Sequence, residues 1–339
     1  MIMRKLISLI AMMLILCIAF LAVSCNGSDS ADPQTDAPTE EQTEKKTEKA
    51  TKKPHSEKVT EAPQKLDNVE GLDLNIKVLS QNVRCADDEG GNTVAQRTTR
   101  LKALIDEYKP DLIGTQETTF EWYKYLRSLE GYAIVGSSRN GHRKTSGEWS
   151  AILYNTERFV LMDSDTFWLT STPDEVGSVE NSLCRRICTW AELFDRYTGE
   201  TIVMVNTHLD HSNDHVRAAQ AGYLVYHLKA RLGDRFKNCS LYLTGDFNCR
   251  KGSSPYSSIV ENGDFVDVRT VAAADNSVVN GTYHNYGTAE SEIDFCFYRG
   301  DETVLEYEII SQKYVSEGET EAGFVSDHYG VIVTFKKEG

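Results

Sequence analysis

Three short stretches bring acids, amides and imidazoles together at spacings that suit work on a phosphate: Asn206-Thr207-His208-Leu209-Asp210-His211, Thr244-Gly245-Asp246-Phe247-Asn248 and Ser326-Asp327-His328. In the first, His208 is placed to contact a phosphoryl oxygen and steady developing charge, with Asp210 to orient it or its neighbours. In the second, an Asp and an Asn two apart beyond a buried strand point the same way. One can activate a water while the other fixes its orientation, although an Asx turn uses the same pair. In the third, a carboxylate near a histidine sets the tautomer and lets the ring carry a proton, and Asp294 is a further acid for that purpose. Asn82 and Glu117 suit a different task, since a hard cation takes one or two carboxylates with neutral oxygens and water. A zinc set of His208, Asp210, His211 and His215 competes with this reading, but the spacing matches no HExxH pattern and no cysteine pair accompanies it.

Such residues need rigid supports. Alternation predicts strands at Ile76 to Val83, Asp111 to Thr115, Ser150 to Tyr154, Ile187 to Phe194, Thr201 to Thr207 and Ser240 to Thr244. Three more are read at Ile293 to Tyr298, Val304 to Ile310 and Tyr329 to Phe335, a turn containing Gly199 joins Ile187 to Phe194 to Thr201 to Thr207, and helices are read at Gln96 to Tyr108 and His215 to Leu232. Mixed strands and helices without an internal repeat predict an α/β or layered α+β domain. Asn82, Glu117, His208 and Asp246 all fall at or just past strand ends, where one rim of a sheet can gather them.

The chain before this domain reads differently. Arg4 and Lys5 precede an apolar run from Leu6 to Val23, a leader pattern that is set aside from fold reasoning. Leu21-Ala22-Val23-Ser24-Cys25 resembles a bacterial lipobox, which implies a signal peptide over residues 1–24 and a lipid on Cys25. Residues 25–70 are rich in Thr, Glu, Lys and Pro and are read as a disordered tether, leaving residues 71–339 for the catalytic domain. Setting aside the leader's two basic residues and, between Asn26 and Lys65, nine acidic and seven basic ones leaves the remainder with the whole net charge of −15. That balance disfavours a protein that grips long nucleic acid by its backbone and favours a small phosphate ester. Arg139 to Lys144 and Arg185-Arg186 supply local positive charge all the same. Six cysteines fall in the domain, mostly within apolar runs, with no CxxC spacing.

Taken in order, Gln81-Asn82, Gln116-Glu117, Glu148 with Tyr154, Asn206 to His211, Gly245 to Asn248, Ile293-Asp294 and Ser326-Asp327-His328 resemble the motif series of the endonuclease/exonuclease/phosphatase superfamily. The resemblance implies an α+β fold of four layers, α/β/β/α, in which two packed mixed β-sheets are flanked by helices and the site lies at one end. It implies a Mg²⁺ or Mn²⁺ site at Asn82, Glu117 and Asp327, with Asp246 and Asn248 at the nucleophile and His208 on the phosphate. His328 paired to Asp294 would complete the machinery, while Glu148, Tyr154, Arg186 and Asp210 would face the substrate. The expectation is thus a monomeric, metal-dependent phosphoesterase exported to the outer face of a bacterial membrane through a lipid anchor. Nucleotides, sugar or inositol phosphates, phospholipid head groups and nucleic acid are its candidate substrates. An extracellular nuclease, or a surface binding protein that kept the fold without the chemistry, are the alternatives.

Overall fold

Every residue of Ile76–Asn82 (β1) except Lys77 is buried, the mark of a strand covered on both faces. A computed structural model describes residues 62–337 and places β1 at the centre of a seven-stranded mixed sheet. Its other main strands are Leu112–Thr118 (β2), Tyr132–Val135 (β3) and Trp149–Asn155 (β4). The second sheet has six strands and begins with Phe159–Trp168 (β5), Ile187–Asp195 (β6), Thr201–His208 (β7), Ser240–Asp246 (β8) and the short Val266–Asp267 (β9). Ala274–Asp275 (β10) returns to the first sheet, Asp294–Arg299 (β11) joins the second, and Val304–Ile310 (β12) joins the first. Tyr314–Val315 (β13) and Ala322–Gly323 (β14) form a small hairpin before Gly330–Phe335 (β15) completes the first sheet beside β1.

Three apolar clusters separate four layers. Ile76, Leu112, Ile152 and Val333 meet Leu193, Met204, Tyr242 and Tyr298 between the sheets. Outside the first sheet lie helices Val94–Tyr108 (α1) and Phe120–Arg127 (α2), which bury Leu101, Leu104, Trp122 and Leu126. Outside the second lies Asp214–Leu232 (α3), burying Leu224 and Leu228, followed by the short turns Arg235–Asn238 (α4) and Ser254–Ser257 (α5). The α+β sandwich expected from the sequence is therefore the fold. Helix α1 starts earlier than its apolar spacing predicts because Thr93 caps it, accepting from the Gln96 N–H while the Gln96 side chain accepts from the Thr93 N–H. Among the described residues no helix is long and apolar enough to cross a membrane. Cys25, the leader and most of the tether lie outside the described residues.

Strand direction decides which ends share a rim. Parallel pairing of β1 with β2, and of β7 with β8, puts Asn82, Glu117, His208 and Asp246 at one end of the sandwich. Antiparallel β11, β15, β6 and β4 begin at that same end, which brings Asp294, His328, Arg186 and Trp149 to it. The sheets are stitched just beneath. Asn206 Nδ2 donates to the carbonyls of Thr115 and Ala151, and Asn206 Oδ1 accepts from Gln116 Nε2 at 2.7 Å and from Thr244 Oγ1. Gly114 is needed there, because a Cβ would stand 2.0 Å from Thr244 Oγ1.

At the opposite end, the fully buried Arg158 holds Asp195 with two nitrogens and donates to the carbonyls of Leu74 and Asn75. The chain already touches the domain at Leu66, whose N–H donates to the Arg196 carbonyl.

Candidate active site

The rim gathers nearly every residue singled out above. Asn82 Nδ2 donates to Glu117 Oε1 at 3.1 Å and to Asp246 Oδ2 at 3.0 Å, tying a carboxylate from each sheet together. Ligand atoms of Glu117, Asp246 and His328 lie within 4.8 Å of one another. Glu117 sits at an irregularity of β2 with φ +57°, and Asn248 has φ +48°; left-handed backbone at non-glycine residues is costly and concentrates at functional sites. The Glu117 conformation turns its carboxylate to accept from the Cys85 N–H with Oε2.

Charge is crowded here. Burial works against ionisation of Glu117, but the Cys85 N–H and the charged His328 ring hold the carboxyl below the usual range. Burial and the adjacent Asp294 push Asp246 up to about 7. His328 is buried too, yet Asp294, 2.8 Å from its Nδ1, pushes it up to about 10. Burial, with Arg186 next, drives His208 well below its ordinary value, leaving a neutral ring. That agrees with the hydrogen bond of 3.0 Å that Asn248 Nδ2 donates to His208 Nε2. A donor set of carboxylates and an amide oxygen, with Asp246 destabilised as an anion by its neighbours, fits a hard divalent cation. Glu117, with Asp246 beside it, supplies the carboxylate oxygens that would hold one.

Beside His208 lies a recess lined by Arg139, Glu148, Trp149, Arg185, Arg186 and Ile187. Glu148 Oε2 accepts from Arg139 Nη1 at 2.8 Å and stands 3.9 Å from Arg186 Nη1. Arg186 is 5% exposed and its Nε has no hydrogen-bond partner.

Residues 79–328 match the Endonuclease/Exonuclease/phosphatase family. The chain belongs to that family. A mannosyl-6-phosphatase of Bacteroides thetaiotaomicron VPI-5482 shares its fold with a TM-score of 0.70 and 29% identity, covering 77% of this chain and 100% of that one. D. rerio TDP2, in complex with a single-strand DNA product, shares the fold at a TM-score of 0.60 and 17% identity, covering 78% of this chain and 100% of that one. The CCR4-Not complex 3'-5'-exoribonuclease subunit Ccr4 of Debaryomyces hansenii is 27% identical over 197 residues, 47% of this chain. The match spans only 23% of that protein.

Within this member of the endonuclease/exonuclease/phosphatase family, two expected roles are not matched by the geometry. Tyr154 is not at the rim: β4 runs antiparallel to β2, so Tyr154 pairs with Leu112 near the other end and is buried between the sheets. Asp210 does not face substrate or His208. Its Oδ2 accepts from Ser182 Oγ and the Cys184 N–H, and its Oδ1 from the Ser212 N–H. Despite burial, these bonds hold it down to about 2. Asn82 and Asp327 are both at the rim: the Asn82 amide nitrogen donates to two carboxylates while its Oδ1 accepts from the Arg84 N–H, and Arg84 Nε stands 3.6 Å from Asp327 Oδ2. Arg84, unremarked in the sequence, is also at the site and pairs with Asp88. Its partner Asp327 is so remote in sequence that no local spacing signals the contact.

Proposed function

We propose that this protein is a divalent-metal-dependent hydrolase of phosphate esters, acting on small phosphomonoesters. The observation that carries the reading is the shared Asp246 Oδ2, which meets Asn82 Nδ2 at 3.0 Å, His208 Nε2 at 3.5 Å and His328 Nε2 at 3.9 Å. A bound Mg²⁺ or Mn²⁺ would supply Lewis acidity toward a phosphoryl oxygen. The chain's own groups do the rest. Asp246, raised to about 7, suits the task of taking a proton from an attacking water near neutral pH. Asn248 fixes that carboxylate, its N–H donating to Asp246 Oδ1 at 2.9 Å. His328, protonated at neutral pH by its pairing with Asp294, offers an Nε2–H to a phosphoryl oxygen. Neutral His208 and the Arg186 guanidinium line the side where the ester's oxygens would lie.

The net charge of −15 supports a small ester over a long polyanion. Resemblance to the mannosyl-6-phosphatase supports a sugar phosphate among such esters. The leader pattern and Cys25 support export and lipidation, which places the hydrolase on the outer face of a bacterial membrane. Loss of fatty-acid labelling in Cys25→Ala tests that location. The activity is tested by incubating purified protein with sugar phosphates, nucleotides, inositol phosphates, phospholipids and nucleic acid in Mg²⁺. Phosphate release that stops with chelator and returns with Mg²⁺ is expected, and an inert protein across the whole panel would end the hydrolase reading. Cleavage of nucleic acid alone would make it a nuclease instead.

A further inference from the structure

The recess beside His208 holds three guanidiniums and one carboxylate, an excess of positive charge in a protein whose net charge is −15. Arg139 already has Glu148, and Arg186 has only the imidazole of His211 at 3.3 Å and Glu148 at 3.9 Å. Arg185 is exposed, and its one hydrogen bond is to a neutral amide oxygen, Asn140 Oδ1 at 3.1 Å. The exposed Arg143 and Lys144, three and four residues after Asn140 in the same loop, have no ion pair among the described residues. Three arginines elsewhere are neutralised locally: Arg231 by Asp165 and Asp174, Arg235 by Glu192 and Asp163, Arg269 by Asp275 and Glu292. Arg185 has no such carboxylate beside it among the described residues.

The recess is also held in shape. The Arg139 carbonyl accepts from Trp168 Nε1, the Arg139 N–H donates to the Glu148 carbonyl, and Ser138 bridges to Trp149. Asp210 fixes the other wall through Ser182 and Cys184, immediately before Arg185. One phosphate needs Arg186 and His208; it leaves Arg185 and the basic loop without an anion. Guanidiniums arranged around a recess match phosphate oxygens in geometry.

We propose that Arg185, with Arg139 and the loop cations Arg143 and Lys144, forms a second anion subsite that takes a phosphate on the leaving-group side of a small bisphosphorylated substrate. This rests on the hydrolase reading above and narrows its substrate class. A long nucleic acid is disfavoured by the net charge of −15.

The test compares glucose 1,6-bisphosphate with glucose 6-phosphate at low and at moderate salt in the Mg²⁺-loaded protein. The bisphosphate is expected to have a kcat/KM roughly 10-fold higher, chiefly through KM, with the preference shrinking as salt rises. Arg185→Ala, an exposed substitution, is expected to reduce that ratio about fivefold, and Arg185→Lys to restore part of it. Arg143→Ala with Lys144→Ala is the second variant and should weaken the ratio further. Equal kcat/KM for the two esters, or a ratio that Arg185→Ala leaves unmoved, overturns the subsite while leaving the hydrolase standing. A 5′-phosphorylated oligonucleotide cleaved better than the bisphosphate overturns the small-substrate assignment. Absence of release from every ester removes both readings.

Discussion

His328 Nδ1 and Asp294 Oδ2 are 2.8 Å apart, both buried, and joined across the chain from β11 to the turn before β15. The pair fixes the ring so that Nε2 faces Asp246, and the Asp294 charge keeps the imidazole protonated against the cost of burial.

Asp294→Asn keeps the shape and removes that charge. Burial then dominates, His328 loses its proton at lower pH, and the alkaline limb of the rate profile moves toward neutrality. A fall in kcat of roughly 10²-fold is expected, the scale of a lost proton-bearing group. A pH–rate profile on protein of unchanged circular dichroism measures it; a profile identical to wild type would remove His328 from the chemistry.

Glu117→Gln should separate metal binding from folding. The folded state favours the ionised Glu117, whose carboxyl is held below its usual range, so removing the charge should lower the metal-free melting temperature. Wild type should gain about 2.7 kcal/mol when Mg²⁺ is at 100 times its dissociation constant. The variant should gain almost nothing. Titration of melting temperature with Mg²⁺ reads this without any assay of turnover, and equal gains in both proteins would refute the assignment.

His284 gives the protein an acid sensitivity. It is 3% exposed and stacks on Tyr329 with ring centroids 3.8 Å apart. Burial and the nearby His328 push it down to about 4. The unfolded chain therefore binds this proton first, so stability is full above about 6.5 and falls as pH drops from there toward 4. The loss from this ring alone is about 3 kcal/mol. Urea unfolding at pH 7.5 and 4.5 should show a shallower pH slope in His284→Phe, which keeps the stack. Parallel slopes would contradict the assignment.

Asp210→Ala should act at a distance. Its carboxylate holds residues 182–184, the lead-in to Arg185 and Arg186, so stability should drop by about 1 to 3 kcal/mol and KM should rise more than kcat falls. Asp210→Asn, which retains an acceptor, should recover part of both. A kcat defect with unchanged KM would instead place Asp210 at the reacting atoms.

Much of the site was legible because strand ends and short motifs are local. Asn82, Glu117, His208 and Asp246 could each be put at the end of an apolar run, and strand ends suggested one rim. What failed depended on direction or long-range pairing. Tyr154 follows Glu148 by a few residues, but only the antiparallel pairing with β2 reveals that the strand carries it away. Strand β5 went unread because Met162 and Asp163 are exposed at a register shift that breaks its alternation. Helix α2 is only eight residues long, too short for a helical period to stand out. The partners of Asp210 lie near residue 182, in a loop without apolar pattern.

The Arg158 clasp sets how load passes through the molecule. Tension applied to the backbone at residue 62 reaches Leu66, then Leu74 and Asn75, and is taken up by a buried guanidinium at the foot of the sandwich. The candidate site stands at the other end of β1, a strand's length from that anchorage.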